Sequence, residues 1–141
     1  MRGFAIGCAL SIAVSFAAAL PSPAAEPSDP MLAQVGADMF MQYCASCHGA
    51  NGQGDGPVAA SLKKPPADLT RIAARHGGKF PDSDIARWID GRFDAPAHGT
   101  REMPVWGRQF QDSTSKATDP DEVVRGKLLT LIEYLKTIQR Q

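Results

Sequence analysis

The sequence predicts an all-α fold, and three observations carry that reading. Apolar residues recur every three or four positions in two well-separated stretches, Leu32 to Tyr43 and Val124 to Leu135, the spacing that gathers side chains on one side of a helix. No segment alternates apolar and polar residues in the period-two pattern of a half-buried strand. Glycines and prolines punctuate the ground between the two stretches, so only short helices and loops fit there. At 141 residues the chain suits one domain, and no internal repeat is present.

Residues 1–25 stand apart from that domain. Arg2 gives a positive start, Phe4 to Leu20 is almost wholly apolar or small, and Pro21-Ser22-Pro23-Ala24-Ala25 supplies small residues for cleavage after Ala19, Ala24 or Ala25. Together these describe a secretory signal peptide. The apolar run falls short of the ~20 residues of a comfortable membrane helix, so the expected product is exported and has no stable span after processing. An uncleaved anchor is the alternative. Cys8 precedes the end of the apolar run, which argues against a lipid-modified cysteine. Lys and Arg number 15 against 15 Asp and Glu, a balance that implies no nucleic-acid partner.

Residues 26–30 read as a linker whose end starts a helix, with Asp29 as N-cap and Pro30 at the first helical position. Leu32, Val35, Met39, Phe40 and Tyr43 form its apolar face, and Gly36, four residues before Phe40, leaves a notch for the close approach of another helix. From Gly49 to Asp68 the chain reads as loop. Thr70 is placed to cap a short helix over 71–76, stopped by Gly77-Gly78. A further helix begins near Asp82 or Ser83, carries Ile85, Trp88 and Ile89 on one face, and ends at Gly91. A polar run, Arg92 to Glu102, leads to Met103-Pro104-Val105-Trp106-Gly107, and Asp112 to Thr118 is again loop. Asp119-Pro120-Asp121-Glu122 then combines an N-cap, a first-position proline and an acidic first turn. The final helix has Val124, Leu128, Leu131, Ile132 and Leu135 as its stripe, with Tyr134 beside it.

The chemistry is concentrated in Cys44-Ala45-Ser46-Cys47-His48. Two thiols three residues apart with a histidine directly after the second form the attachment pattern of c-type haem. On a helical turn both thiols project from one side, where each adds to a haem vinyl group while His48 comes beneath the iron. A structural disulfide would not call for His48. A thioredoxin-type pair needs a strand before it, and zinc needs a fourth ligand and usually a second Cys/His pair. With few aromatics the chain buries only a modest core, so a large apolar cofactor would supply much of its stability.

Haem iron held by histidine has a sixth position, and a thioether there favours the ferrous state. Met31, Met39 and Met41 lie on the helix that leads to His48, which serves the opposite face. Met103 lies in a loop before a proline that holds it extended, and is the first candidate, with His98 and His76 or an open site as alternatives. Trp88 and Trp106 either pack on the macrocycle and reach a propionate through the indole N–H, or simply fill the core.

Over roughly residues 31–139 the chain resembles a mono-haem class I c-type cytochrome of the bacterial periplasmic type. The resemblance implies the cytochrome c fold: crossing N- and C-terminal helices, here with Gly36 and Phe40 against Tyr134, and short helices and long loops around one covalent haem c. It implies Cys44, Cys47 and His48 as attachment and proximal ligand, Met103 as distal ligand, and the carbonyl of Pro65 or Pro66 as partner of the second His48 nitrogen. The implied function is a periplasmic one-electron carrier, not an enzyme, exchanging electrons with a dehydrogenase, an oxidase or a respiratory complex. A haem subunit of a periplasmic oxidoreductase is the alternative, as is a gas-binding or peroxidase-like protein with an open or bis-histidine site. The cations from Lys63 to Arg108 offer a docking rim, or a plain solvated surface.

Overall fold

The computed structural model describes residues 28–93, 103–114 and 116–140. The expected signal peptide, residues 26–27 of the linker and His98 lie outside them. Among the described residues six α-helices follow in order: α1 (Pro30–Tyr43), α2 (Ala45–His48), α3 (Ile72–Arg75), α4 (Asp82–Asp90), α5 (Trp106–Asp112) and α6 (Pro120–Thr137), with 3-10 turns at Ala59–Ser61 and Leu69–Arg71. Among the described residues there is no strand, as the all-α reading requires.

Both long helices begin as the sequence dictates. Asp29 accepts from the backbone N–H groups of Met31 and Leu32 with Pro30 at the start of α1, and Asp119 accepts from Glu122 N at the start of α6. Each cap satisfies N–H groups that have no partner inside the helix. The two helices cross and make the most extensive interhelical contact of the fold. Gly36 sits at the crossing: a methyl group on it would run into the Thr130 carbonyl and stand 2.8 Å from Tyr134 Cβ. One turn further, the rings of Phe40 and Tyr134 lie 5.1 Å apart. Val124, Leu128, Leu131, Ile132 and Leu135 are all buried, and Ile72, Phe80, Ile89 and Phe110 pack onto them from the shorter elements.

The start of α1 is also tied electrostatically. Glu133, buried in α6, accepts from Asp29 N at 2.9 Å and from Lys136 Nζ at 2.6 Å, and Lys136 reaches Asp82 at 3.8 Å. A buried carboxylate is tolerable when paired in this way.

Three local expectations are corrected. Val35 is half exposed, because α6 approaches over Gly36 and turns the buried face toward Ala33, Gly36 and Phe40. The cap of the 69–75 helical segment is Asp68, whose carboxylate accepts from both Thr70 N and Thr70 Oγ1, leaving Thr70 buried as a donor. Helix α4 begins at Asp82 and is closed by Gly91 at φ +65°, both as expected, with Pro81 before it offering no side-chain cap. Trp88 is half exposed instead of sharing the buried face of Ile89. Helix α5 was not foreseen, although Trp106 and Phe110 are four residues apart and stack at 5.9 Å.

Replacing Gly36 by leucine overfills the α1–α6 crossing and is expected to cost about 1–3 kcal/mol, lowering the thermal midpoint of the haem-loaded protein. An unchanged midpoint would show that this crossing is not close-packed in solution.

Candidate functional site

Helix α1 ends at Tyr43, and Cys44 both caps it and starts the next turn: Cys44 N donates to Phe40 O, while Cys47 N and His48 N both donate to Cys44 O. That single turn, α2, holds Cys44, Cys47 and His48 together. Both cysteines are free thiols and partly buried. Burial, and secondarily Cys47, pushes the Cys44 thiol up to about 12, so it stays protonated at neutral pH.

The following loop folds back on this turn through backbone bonds, Gly54 N to His48 O at 2.8 Å, Gly56 N to Cys47 O at 3.1 Å and Val58 N to Ser46 O at 3.1 Å. Gly56 must be glycine, since a side chain would strike the carbonyls of Ser46 and Cys47. Gly54 has φ +84° and lies where a methyl group would be 2.5 Å from Pro66 O.

This packing decides which carbonyl meets His48. His48 Nδ1 lies 2.9 Å from the Ala67 oxygen, one residue beyond the Pro65–Pro66 pair expected to supply it. The Pro66 carbonyl is taken up against Gly54, and the chain turns only after Ala67, where Asp68 caps the next segment. A carbonyl only accepts, so Nδ1 carries the imidazole proton and Nε2 keeps its lone pair free for a metal. Arg75 Nη2 donates to Asp68 O at 2.9 Å, and Gln139 reaches over from the end of α6, accepting from Ala73 N and donating to Leu69 O. The support behind His48 thus extends to the C-terminal residues.

The donor set fits a c-type haem: two free thiols on one turn for thioether formation, and an imidazole whose second nitrogen is left for a metal. Among the described residues no three His, Cys, Asp or Glu side chains converge as a metal cage would need. His76 is exposed, its Nδ1 paired with Ile72 O. Met103 is partly buried against the core, three residues ahead of Trp106. The Trp106 ring meets Tyr43 edge-on at 5.5 Å, and Tyr43 adjoins Cys44, so the two sequence motifs are drawn toward one end of α1. Open concavities lie elsewhere, one along His76 to Asp84 and one between the start of α1 and Tyr134.

The family of cytochrome c oxidase, cbb3-type, subunit III matches residues 32–118. The chain belongs to that family. It is similar to the cbb3-type cytochrome c oxidase subunit FixPc of Rhizobium leguminosarum bv. viciae, 31% identical over 98 residues that make up 64% of this chain and 26% of the relative. The subunit FixP of Rhizobium meliloti (strain 1021) is 30% identical over 98 residues, again 64% of this chain and 26% of the relative. The chain therefore spans about a quarter of the length of these relatives. No solved structure matches it significantly. As a member of this family it is a mono-haem class I c-type cytochrome with a covalent haem c.

Acid should loosen the support behind His48. The Thr70 hydroxyl, opposed by desolvation and aided by the Thr70 amide, Arg75 and Arg71, holds the Asp68 carboxyl below its ordinary value of 3.8. Its stabilising effect is therefore complete above the ordinary value and is lost as pH falls through the lowered one. Asp68→Asn should flatten the dependence of unfolding free energy on pH from about pH 5 downward, measured by denaturant titration. Curves that stay parallel to wild type over that range would count against it.

Proposed function

We propose that this chain is a periplasmic one-electron carrier working with a respiratory oxidase complex, its haem bound through Cys44 and Cys47 and ligated by His48 and Met103. Residues 31–139 are taken as the cytochrome domain and residues 1–25 as its export signal. The observation that carries the reading is the His48 ring, fixed by the Ala67 carbonyl at 2.9 Å one residue beyond a free Cys-x-x-Cys pair. The oxidase partner is supported by the relatives, both of which are named as subunits of cbb3-type oxidases. Among the described residues no helix is long and apolar enough to cross a membrane.

A haem held by Cys44, Cys47, His48 and Met103 would supply one-electron chemistry between ferrous and ferric iron, with no substrate bond made or broken. The protein's residues hold and tune it. Hydrogen bonding of Nδ1 to Ala67 sets the His48 tautomer and makes Nε2 a better donor. The Met103 thioether favours the ferrous form, and burial of the core around Phe40 and Phe110 excludes water. Docking of a redox partner is brief, because such encounters use interfaces below ~1,200 Å².

Protein matured in a host with c-haem attachment should carry one haem that survives acid–acetone extraction, and Cys47→Ser together with Cys44→Ser should abolish this. Met103→His should lower the reduction potential by on the order of a hundred millivolts, within the ~0.8 V span that axial ligands set. Met103→Ala should admit carbon monoxide. If the wild type binds carbon monoxide readily at neutral pH, or both Met103 variants keep its potential and spectrum, the His/Met carrier reading fails.

A further inference from the structure

A largely buried Arg92–Asp90 pair, joined by the more exposed Asp121, ties α4, α5 and α6 together beside the first turn of α5. The Arg92 side chain, only 13% exposed, contacts Asp90 at two points, Nε to Oδ1 at 2.7 Å and Nη2 to Oδ2 at 3.0 Å, and donates Nη1 to Asp121 Oδ1 at 2.6 Å. Asp90 ends α4, Asp121 lies in the first turn of α6, and Gln111 from α5 donates to the same Asp121 oxygen at 3.2 Å. Hydrogen bonding to Asp90 outweighs desolvation and raises the guanidinium above its ordinary value. A forked, largely buried pair resists distortion, since separating it leaves a charge in a medium of low dielectric.

Gly107, in the first turn of α5, is pressed against this cluster. A methyl group on it would collide with Asp90 Oδ1 and come within 2.7 Å of Arg92 Nε. Only Pro104, Val105 and Trp106 separate Gly107 from Met103. Pro104 restricts the Met103 backbone to an extended form, and the Trp106 ring is held by Tyr43 and Phe110 at 5.5 and 5.9 Å. The path from the cluster to the thioether is therefore short and has little freedom.

We propose that the Asp90–Arg92–Asp121 cluster positions Met103, fixing the first turn of α5 and with it the place from which the sulfur is presented to iron. This rests on the reading of Met103 as distal ligand. A thioether is a weak donor for ferric iron, so a small displacement lets an added ligand compete, and the apparent affinity of that ligand scales with the fraction of protein in which Met103 has left.

The test is imidazole titration of the ferric haem protein, with the reduction potential measured alongside. Arg92→Lys keeps the charge but loses the fork, and should tighten imidazole binding by about tenfold and lower the potential. Asp121→Asn removes only the more exposed arm, should act in the same direction by a smaller factor, and carries the test if Arg92→Lys does not fold. Asp29→Ala removes the N-cap at the far end of α1 and should leave imidazole affinity at the wild-type value. If Met103→Ala opens the iron while Arg92→Lys and Asp121→Asn bind imidazole as wild type does, the positioning role is wrong and the ligand assignment stands. If Met103→Ala itself changes nothing, the ligand assignment falls and the positioning role with it. An equal gain in Asp29→Ala would reduce the effect to general loosening and overturn the proposal.

Discussion

The close crossing of α1 and α6 at Gly36 is the constraint from which the remaining geometry follows. With the Thr130 carbonyl where a side chain would be, the helix backbones approach more closely than any other residue would permit. That approach brings Phe40 onto Tyr134 and rotates the end of α1 so that Tyr43 faces α5 and Cys44 begins the next turn. The attachment turn is therefore delivered by helix packing, while its own four residues contribute little stability as an isolated helix.

The two sides of the site are built differently. Behind His48 the support is backbone: glycines at positive φ let the loop return carbonyl by carbonyl to α2, and Asp68, Arg75 and Gln139 hold the turn that aims the Ala67 oxygen. Near Met103 the support is side chain, an aromatic stack of Tyr43, Trp106 and Phe110 beside the largely buried Arg92–Asp90 pair. In the proposed carrier this difference would matter, because the imidazole would have to keep one orientation in both oxidation states, whereas a thioether would be held on iron chiefly by where the chain places it.

The small aliphatic core has a matching consequence. Helix α6 supplies the largest share of its buried members, with single residues from each shorter element, so the middle of the chain has little apolar packing of its own. Polar ties compensate at the joints: Glu133 to Asp29 and Lys136, Gln139 to the 69–73 turn, and Arg92 between α4 and α6. Each is largely satisfied, which is what makes it tolerable in a low-dielectric setting.

Sequence alone determined the features that are local or periodic. Asp29-Pro30 and Asp119-Pro120 mark helix starts because capping depends on residues a few positions apart, and the stripe of α6 is buried as its spacing requires. The Cys-x-x-Cys-His pattern was legible for the same reason, and Gly36 with Phe40 and Tyr134 was legible through family resemblance. Tertiary structure decided what depends on distant approach. The outward turn of Val35 follows from where α6 crosses, and the choice of Ala67 over Pro66 follows from Gly54 occupying the space beside the Pro66 carbonyl. The joining of Arg92 to Asp121 spans 29 positions, and no local period or cap encodes it. Short-range hydrogen bonding and helical period can be read from neighbouring residues, whereas the partner of a carbonyl or a guanidinium is chosen only when the packed helices have fixed what lies within reach of it.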